Sequence, residues 1–193
     1  MTAPSAPRPA MEAIKKIPTS LPGVFILEPR AFGDERGFFL ESYNEKVFAG
    51  LGISDRFVQD NHSSSIKNVL RGLHYQITHA QGKLVRVVVG EILDVAVDLR
   101  RRSSTFGKWE AVRLSGDNKR MLWIPAGFAH GFLVISQTAH MMYKTTDYYA
   151  PEHERTLAWN DPDVRIDWKL DSEPIVSAKD KRGIALRDAE CFE

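Results

Sequence analysis

The stretch that decides the fold is Lys83–Arg100, KLVRVVVGEILDVAVDLR. In its second half Leu93, Val95, Val97 and Leu99 alternate with Asp94, Ala96, Asp98 and Arg100. A period of two belongs to a strand, because a helix would scatter such residues around its axis. Gly90 and Glu91 stand between the two halves, and a two-residue turn that opens on Gly suits a tight hairpin. The alternation also predicts that the apolar set faces inward, leaving Asp94 and Asp98 as solvent-facing partners of arginines.

Outward from this stretch, strand candidates follow at short spacing: Gly37–Tyr43, Val69–Gln76, Trp109–Leu114, Met121–Ile124, Gly131–Ile135 and Met141–Tyr148. Turn signals separate them, among them Gly33-Asp34, Ser115-Gly116-Asp117-Asn118 and Pro125-Ala126-Gly127. Between Pro29 and Pro151 the only proline is Pro125. A long proline-poor middle suits a sheet, since proline cannot donate to a ladder. One short helix is expected at Asn44–Ala49, with Asn44 as its cap and Gly50 or Gly52 as its stop. Many short strands with almost no helix indicate an all-β sandwich or small barrel, and a jelly roll manages its sheet edges well. The expected organisation is a flexible N-terminal tail over residues 1–18 and one domain over residues 19–193.

With 193 residues the chain is long enough to bury a real core. Its 26 Lys plus Arg against 25 Asp plus Glu leave a net charge of +1, which argues against nucleic acid or a membrane surface as partner. Any anionic ligand must be held by local charge. The single cysteine, Cys191, excludes an intrachain disulfide and a cysteine-based zinc site. No apolar run approaches the roughly 20 residues of a membrane helix, and Met1–Ala10 lacks a signal core, so a cytoplasmic location is expected. There is no G-x-G-x-x-G, Walker loop or G-x-S-x-G, which removes support for dinucleotide-binding, P-loop and esterase readings.

Two segments place polar groups within otherwise apolar strands. One is Arg71-Gly72-Leu73-His74-Tyr75-Gln76 with Gly82-Lys83-Leu84-Val85-Arg86, and the other is Ile124-Pro125-Ala126-Gly127-Phe128-Ala129-His130-Gly131-Phe132. The P-x-G-x-x-H pattern at 125–130 is similar to the second motif of the cupin superfamily, small jelly-roll barrels that bind ligands at the barrel mouth. Against that family's metal-binding first motif, His74 fills the first His position and Gln76 the second. Lys83 stands where a Glu belongs, seven residues before Gly90. An ammonium offers no lone pair and repels a divalent cation, so the site is expected to be metal-free. In a low-dielectric barrel the same ammonium can stabilise an oxyanion, which frees His74 to act as a base.

A longer set of motifs narrows the resemblance. Phe32-Gly33-Asp34-Glu35-Arg36-Gly37-Phe38-Phe39, Gln59-Asp60-Asn61-His62-Ser63, Arg71-Gly72-Leu73-His74, Gln81-Gly82-Lys83-Leu84-Val85-Arg86, Trp123-Ile124-Pro125, Trp159-Asn160-Asp161 and Ser177-Ala178-Lys179-Asp180 together resemble the dTDP-4-dehydrorhamnose 3,5-epimerases. The resemblance implies a cupin-type jelly-roll barrel with short peripheral helices, acting without a cofactor on dTDP-4-dehydro-6-deoxy-D-glucose, as a homodimer. Inverting a carbon beside a ketone needs a base, a stabiliser for the enolate oxygen and an acid on the far side of the ring. The resemblance assigns His74 as base, Asp180 as the carboxylate that orients it, Lys83 to the C4 oxygen and Tyr143 as acid. It places Arg71 and Lys179 at the diphosphate, Tyr149 against thymine, and Arg36 and Glu41 at the nucleotide across a dimer. Gln59, Asp60 and Asn61 offer hydrogen bonds to thymidine or sugar, His130 contacts ligand, and Glu154 lies on the nucleotide side.

The remaining histidines, His62, His79, His140 and His153, read as structural, and Arg100–Arg102 as a solvent cap on a strand end. Three alternatives to the double epimerase stay open: an epimerase of a single carbon, a cupin that binds a sugar nucleotide without turnover, and a metal-dependent oxygenase.

Overall fold

In a computed structural model, which describes residues 14–193, the chain is nearly all β. In chain order the strands are β1 (Ile14–Pro18), β2 (Phe25–Pro29), β3 (Phe32–Asp34), β4 (Gly37–Phe39), β5 (Gln59–Ile66), β6 (Val69–Gln76), β7 (Lys83–Val89), β8 (Glu91–Asp98), β9 (Trp109–Ser115), β10 (Met121–Ile124), β11 (Phe128–Val134), β12 (Thr138–Thr145), β13 (Glu154–Thr156) and β14 (Ile175–Val176). The helix α1 spans Glu45–Gly50, and its cap is the expected one: the Asn44 side chain accepts from the Lys46 and Val47 amides.

Two sheets face each other, one in the order β1-β2-β10-β7-β12-β5 and the other β13-β6-β11-β8-β9, with β14 added beside β6. The space between them is filled by Val85, Val87, Ile92, Ala96, Leu122, Phe128, Phe132 and Met141. The outer faces are covered as well. Helix α1 lays Val47 and Phe48 over Leu84, Met121 and Trp123 of the first sheet. The C-terminal segment lays Leu157, Val164, Trp168 and Ala189 over Leu73, Tyr75, Val95 and Val97 of the second. Each such fully buried Leu, Val or Phe contributes about 1.5–3 kcal/mol, so both coverings stabilise the sheets they seal.

This layering corrects three expectations. Strands β7 and β8 do not form a hairpin, because Gly90 carries the chain from one sheet to the other. Gly90 has φ +76, and a Cβ there would lie 2.0 Å from the Thr138 carbonyl oxygen, so only glycine fits this corner. The apolar set Leu93, Val95, Val97 and Leu99 faces the C-terminal covering, which turns Asp94 and Asp98 into the barrel instead of into solvent; both are fully buried. Asp98 does pair with Arg100, and Ser103 and Thr105 donate to it as well. Finally, the expected tail over residues 1–18 ends early, since Ile14–Pro18 pairs along β2 and buries Ile14; residues 1–13 lie outside the described residues.

Among the other strands, the one expected at Gly37–Tyr43 stops at Phe39, and that expected at Gly131–Ile135 starts at Phe128, which puts His130 in mid-strand. No helix among the described residues is long and apolar enough to cross a membrane.

Candidate active site

A cavity of about 250 Å³ opens between the sheets. Strand β6 supplies one wall, and its register decides which side chains enter. His74 lies opposite His130 on β11, and Arg71 opposite Phe132, so two residues of β6, Gly72 and Leu73, fall opposite the one residue of β11 between them, Gly131. The strands touch at Gly72, where a Cβ would stand 2.5 Å from Gly131 Cα. This extra residue lets Arg71 and His74, three apart in sequence, both line the cavity while Leu73 stays in the outer core.

His74 Nε2 lies 2.6 Å from Asp180 Oδ1. Asp180 is buried in a short 3-10 turn, Asp180–Arg182, and its other oxygen accepts from the Gly72 amide at 3.4 Å. Burial alone would push this carboxyl up, but the hydrogen bonds from His74, Gly72 and Ser177 outweigh it and hold it below the usual range. The carboxylate therefore stays charged and engages Nε2, leaving Nδ1 as the ring nitrogen without a hydrogen-bond partner among the described residues. Beside it, His130 Nε2 meets both oxygens of buried Asp94 at 2.9 Å. Two imidazoles thus stand as neighbours on one wall, each held by a carboxylate.

The facing wall carries Lys83, at the start of β7, and Tyr143, on β12. Lys83 is only 7% exposed and makes no hydrogen bond or ion pair among the described residues. Burial pushes its ammonium down to about 8, although Glu154 and Asp94 pull the other way. Burial raises the Tyr143 phenol, Glu154 adds to the rise and Arg71 opposes it, so the group holds its proton at neutral pH.

At the mouth, Glu154 accepts from the Tyr149 hydroxyl at 3.0 Å and pairs with Lys179 at 2.8 Å. Tyr149 is exposed there, and its amide donates to Gln59 Oε1 at 3.1 Å. Gln59 in turn donates to Asn61 Oδ1. Of the residues expected at the site, Arg71, His74, Lys83, His130, Tyr143, Tyr149 and Glu154 line this one cavity. Lys179 and Asp180 line the adjoining cleft behind His74. Asp60 faces the other side of β5, where it pairs with Lys144 and lines a second hollow that also takes in Asn61. Arg36 and Glu41 sit on and beyond the β3–β4 hairpin, outside the residues that line the cavity of their own chain; among the described residues Arg36 pairs with Asp34, two residues away.

Several further residues belong to the site or support it. Asp94 was expected in solvent and instead holds His130. Ser63 lines the cavity with a buried hydroxyl that has no partner, the only such side-chain atom among the described residues. Gln76 and Gln81 also line it. The structural reading of the other histidines fits their places: His62 bonds to His140 at 3.1 Å, His79 pairs with Asp147, and none of the four lines the cavity. Among the described residues no three His, Cys, Asp or Glu side chains converge on a metal position.

The sequence pattern of the family described as dTDP-4-dehydrorhamnose 3,5-epimerase matches residues 18–188. A Pseudomonas aeruginosa protein named dTDP-4-dehydrorhamnose 3,5-epimerase is 60% identical over 174 residues, covering 90% of this chain and 96% of that protein. A Salmonella typhimurium protein of the same name is 58% identical over 175 residues, covering 90% of this chain and 96% of its own. Among solved structures, a Legionella pneumophila dTDP-6-deoxy-D-glucose-3,5-epimerase in complex with dTDP-4-keto-L-rhamnose superposes with a TM-score of 0.90 at 52% identity, covering 92% of this chain and 95% of that one. With its barrel, its facing walls and these relatives in agreement, the chain belongs to the dTDP-4-dehydrorhamnose 3,5-epimerase family.

Proposed function

We propose that this protein inverts C3 and C5 of dTDP-4-dehydro-6-deoxy-D-glucose to give dTDP-4-dehydro-L-rhamnose. The observation that carries the reading is the division of one cavity, with the His74–Asp180 pair on one wall and Lys83 and Tyr143 on the other. His74 Nδ1 takes the proton from the carbon beside the ketone, and the C–H electron pair moves onto the C4 oxygen as an enolate. Asp180 stabilises the imidazolium that results. The largely buried Lys83 ammonium faces the oxygen where charge develops, and the low dielectric around it strengthens that attraction. Tyr143 then gives its proton to the opposite face of the carbon, and both side chains re-equilibrate with solvent. The step is an isomerisation, so it balances without a redox cofactor.

Arg71 and Lys179 suit the diphosphate, Tyr149 the thymine ring, and Gln59 and Asn61 the polar edge of the base, with His130, Ser63 and Glu154 completing the wall around the sugar. Arg36 and Glu41 can join this set only from a second copy. The β3–β4 hairpin that carries Arg36 also exposes Phe38 at 59% and Phe39 at 71%, an apolar surface that calls for a cover. A homodimer in which each hairpin reaches the other copy's cavity supplies it. A nucleotide sugar as substrate suits a cytoplasmic location.

The test is to incubate the protein with the keto-sugar nucleotide in deuterated water and follow C3 and C5 by NMR. Deuterium at both carbons with conversion to the L-rhamno product supports the double epimerase. Label at one carbon makes the protein a single-carbon epimerase, and no label makes it a binder without turnover. Light scattering at twice the mass of one chain supports the dimer, and a monomer that binds substrate normally removes it.

A further inference from the structure

Tyr149 stands on a stretch of chain that no strand supports. Strand β12 ends at Thr145 and β13 begins at Glu154, so the main chain of Tyr148–Ala150 has no ladder to hold it. Side-chain amides take the place of one. Gln59 accepts from the Tyr149 amide at 3.1 Å, and Gln81 donates to the Asp147 carbonyl at 2.9 Å. Gln76 does most: its Nε2 donates to the His79 carbonyl at 2.7 Å and the Tyr148 carbonyl at 3.2 Å, and its Oε1 accepts from the Ala150 amide at 2.9 Å.

Gln76 is only 3% exposed, so its amide makes these three bonds away from bulk water. Both Nε2 hydrogens are used, each on a different loop, and Oε1 is used on the second of them. An amide is the side chain of this size that can do this, since it carries two donors and an acceptor on one rigid plane. A carboxylate would set its oxygens against two carbonyls, and an imidazole would reach at most two of the three partners. The grip falls on residues 148 and 150, on either side of Tyr149.

We propose that Gln76 is a positioning residue for base recognition: it fixes the 147–150 segment so that the Tyr149 ring is already placed to stack on the thymine. The proposal rests on the reading of Tyr149 as the stacking residue. Binding to a preformed platform avoids the cost of ordering it on contact, so loosening the clamp weakens the nucleotide and leaves proton transfer at His74 and Tyr143 alone.

The test compares Gln76→Met, Gln76→Glu, Tyr149→Ala and the double variant Gln76→Met/Tyr149→Ala, all full length, with dTDP and the keto-sugar nucleotide as probes. Base stacking in other sites is worth roughly 5–150-fold in affinity, and Gln76→Met should weaken dTDP binding by about 10-fold within that range. KM for the keto-sugar should rise in parallel while kcat stays within about threefold. Once Tyr149 is Ala, adding Gln76→Met should change dTDP affinity by less than about twofold. The amides of Tyr149 and Ala150 should exchange faster with deuterium in both Gln76 variants. If Gln76→Met melts too low to assay, Gln76→Glu answers the same questions, since it keeps the size and the acceptor and loses both donors. Unchanged dTDP affinity in the Gln76 variants, or losses that add fully in the double variant, overturns the proposal. A normal dTDP affinity in Tyr149→Ala overturns the stacking reading first, and the proposal falls with it.

Discussion

Replacing Lys83 with Met should make the protein more stable and stop its chemistry. Lys83 is 7% exposed and its ammonium has no hydrogen-bond or ion-pair partner among the described residues; burial brings its pKa from 10.5 down to about 8. At 1.36 kcal/mol per pKa unit, that drop corresponds to about 3 kcal/mol of destabilisation carried by the charged form. The sign follows from which state holds the proton. Below about pH 8 the lysine is charged in both the folded and unfolded chain, so the folded state bears the whole penalty. Between about 8 and 10.5 the folded state releases its proton first, and the penalty fades as pH rises. Met has a similar shape and no charge, so Lys83→Met should gain up to about 3 kcal/mol at pH 7. For a chain of this size that raises the melting temperature by roughly 6–12 °C. Thermal melting from pH 7 to 10.5 reads it: the wild type should gain stability over the upper part of the range, and the variant should lack that gain. Turnover should fall by about 10²–10³-fold, the usual cost of losing one oxyanion donor. A variant that melts at or below the wild-type temperature at pH 7 refutes the reasoning, because it means the ammonium is solvated or paired in the native state.

Two further predictions concern buried carboxylates. Asp180→Asn keeps the shape beside His74 but removes the charge that stabilises imidazolium at 2.6 Å, so kcat should fall by about 10–150-fold with dTDP affinity little changed, as steady-state kinetics and calorimetry would show. Asp98, which burial would push up, is brought down to about 2 by the hydrogen bonds of Arg100, Ser103 and Thr105. Its contribution of roughly 2–3 kcal/mol is present above about pH 4 and lost as the pH falls toward 2; Asp98→Asn should flatten that part of the acid-unfolding curve.

The strand content of the fold was legible because apolar residues at a period of two cannot sit on a helix, and the cap at Asn44 was legible because its side chain satisfies helix amides directly. Which face of β8 points inward was not. Period two separates two faces without saying which is wet, and here the C-terminal segment seals the outer one, so Asp94 enters the barrel and meets His130. Gly90 signalled a turn correctly, yet a positive φ serves a crossing between sheets as well as a hairpin. Strand β5, QDNHSSSI, carries almost no apolar signal: Ser63 lines the cavity, and Asp60 and Asn61 line the second hollow. A polar strand of this kind is hidden from hydrophobic pattern and visible only through motif. Arg36 and Glu41 show the converse: motif marks them for the site, and one chain alone leaves them outside it.

In the proposed mechanism base and acid work from opposite walls of one cavity, and Tyr143→Phe in deuterated water separates their roles. The variant should still exchange the C3 and C5 protons through His74 but return deuterium to the face it came from, so labelled starting sugar is recovered with its configuration kept. His74→Ala, by contrast, should take up no label at either carbon while still binding dTDP. Full double inversion by Tyr143→Phe would rule out this tyrosine as the acid, since the proton on the far face would then come from another group.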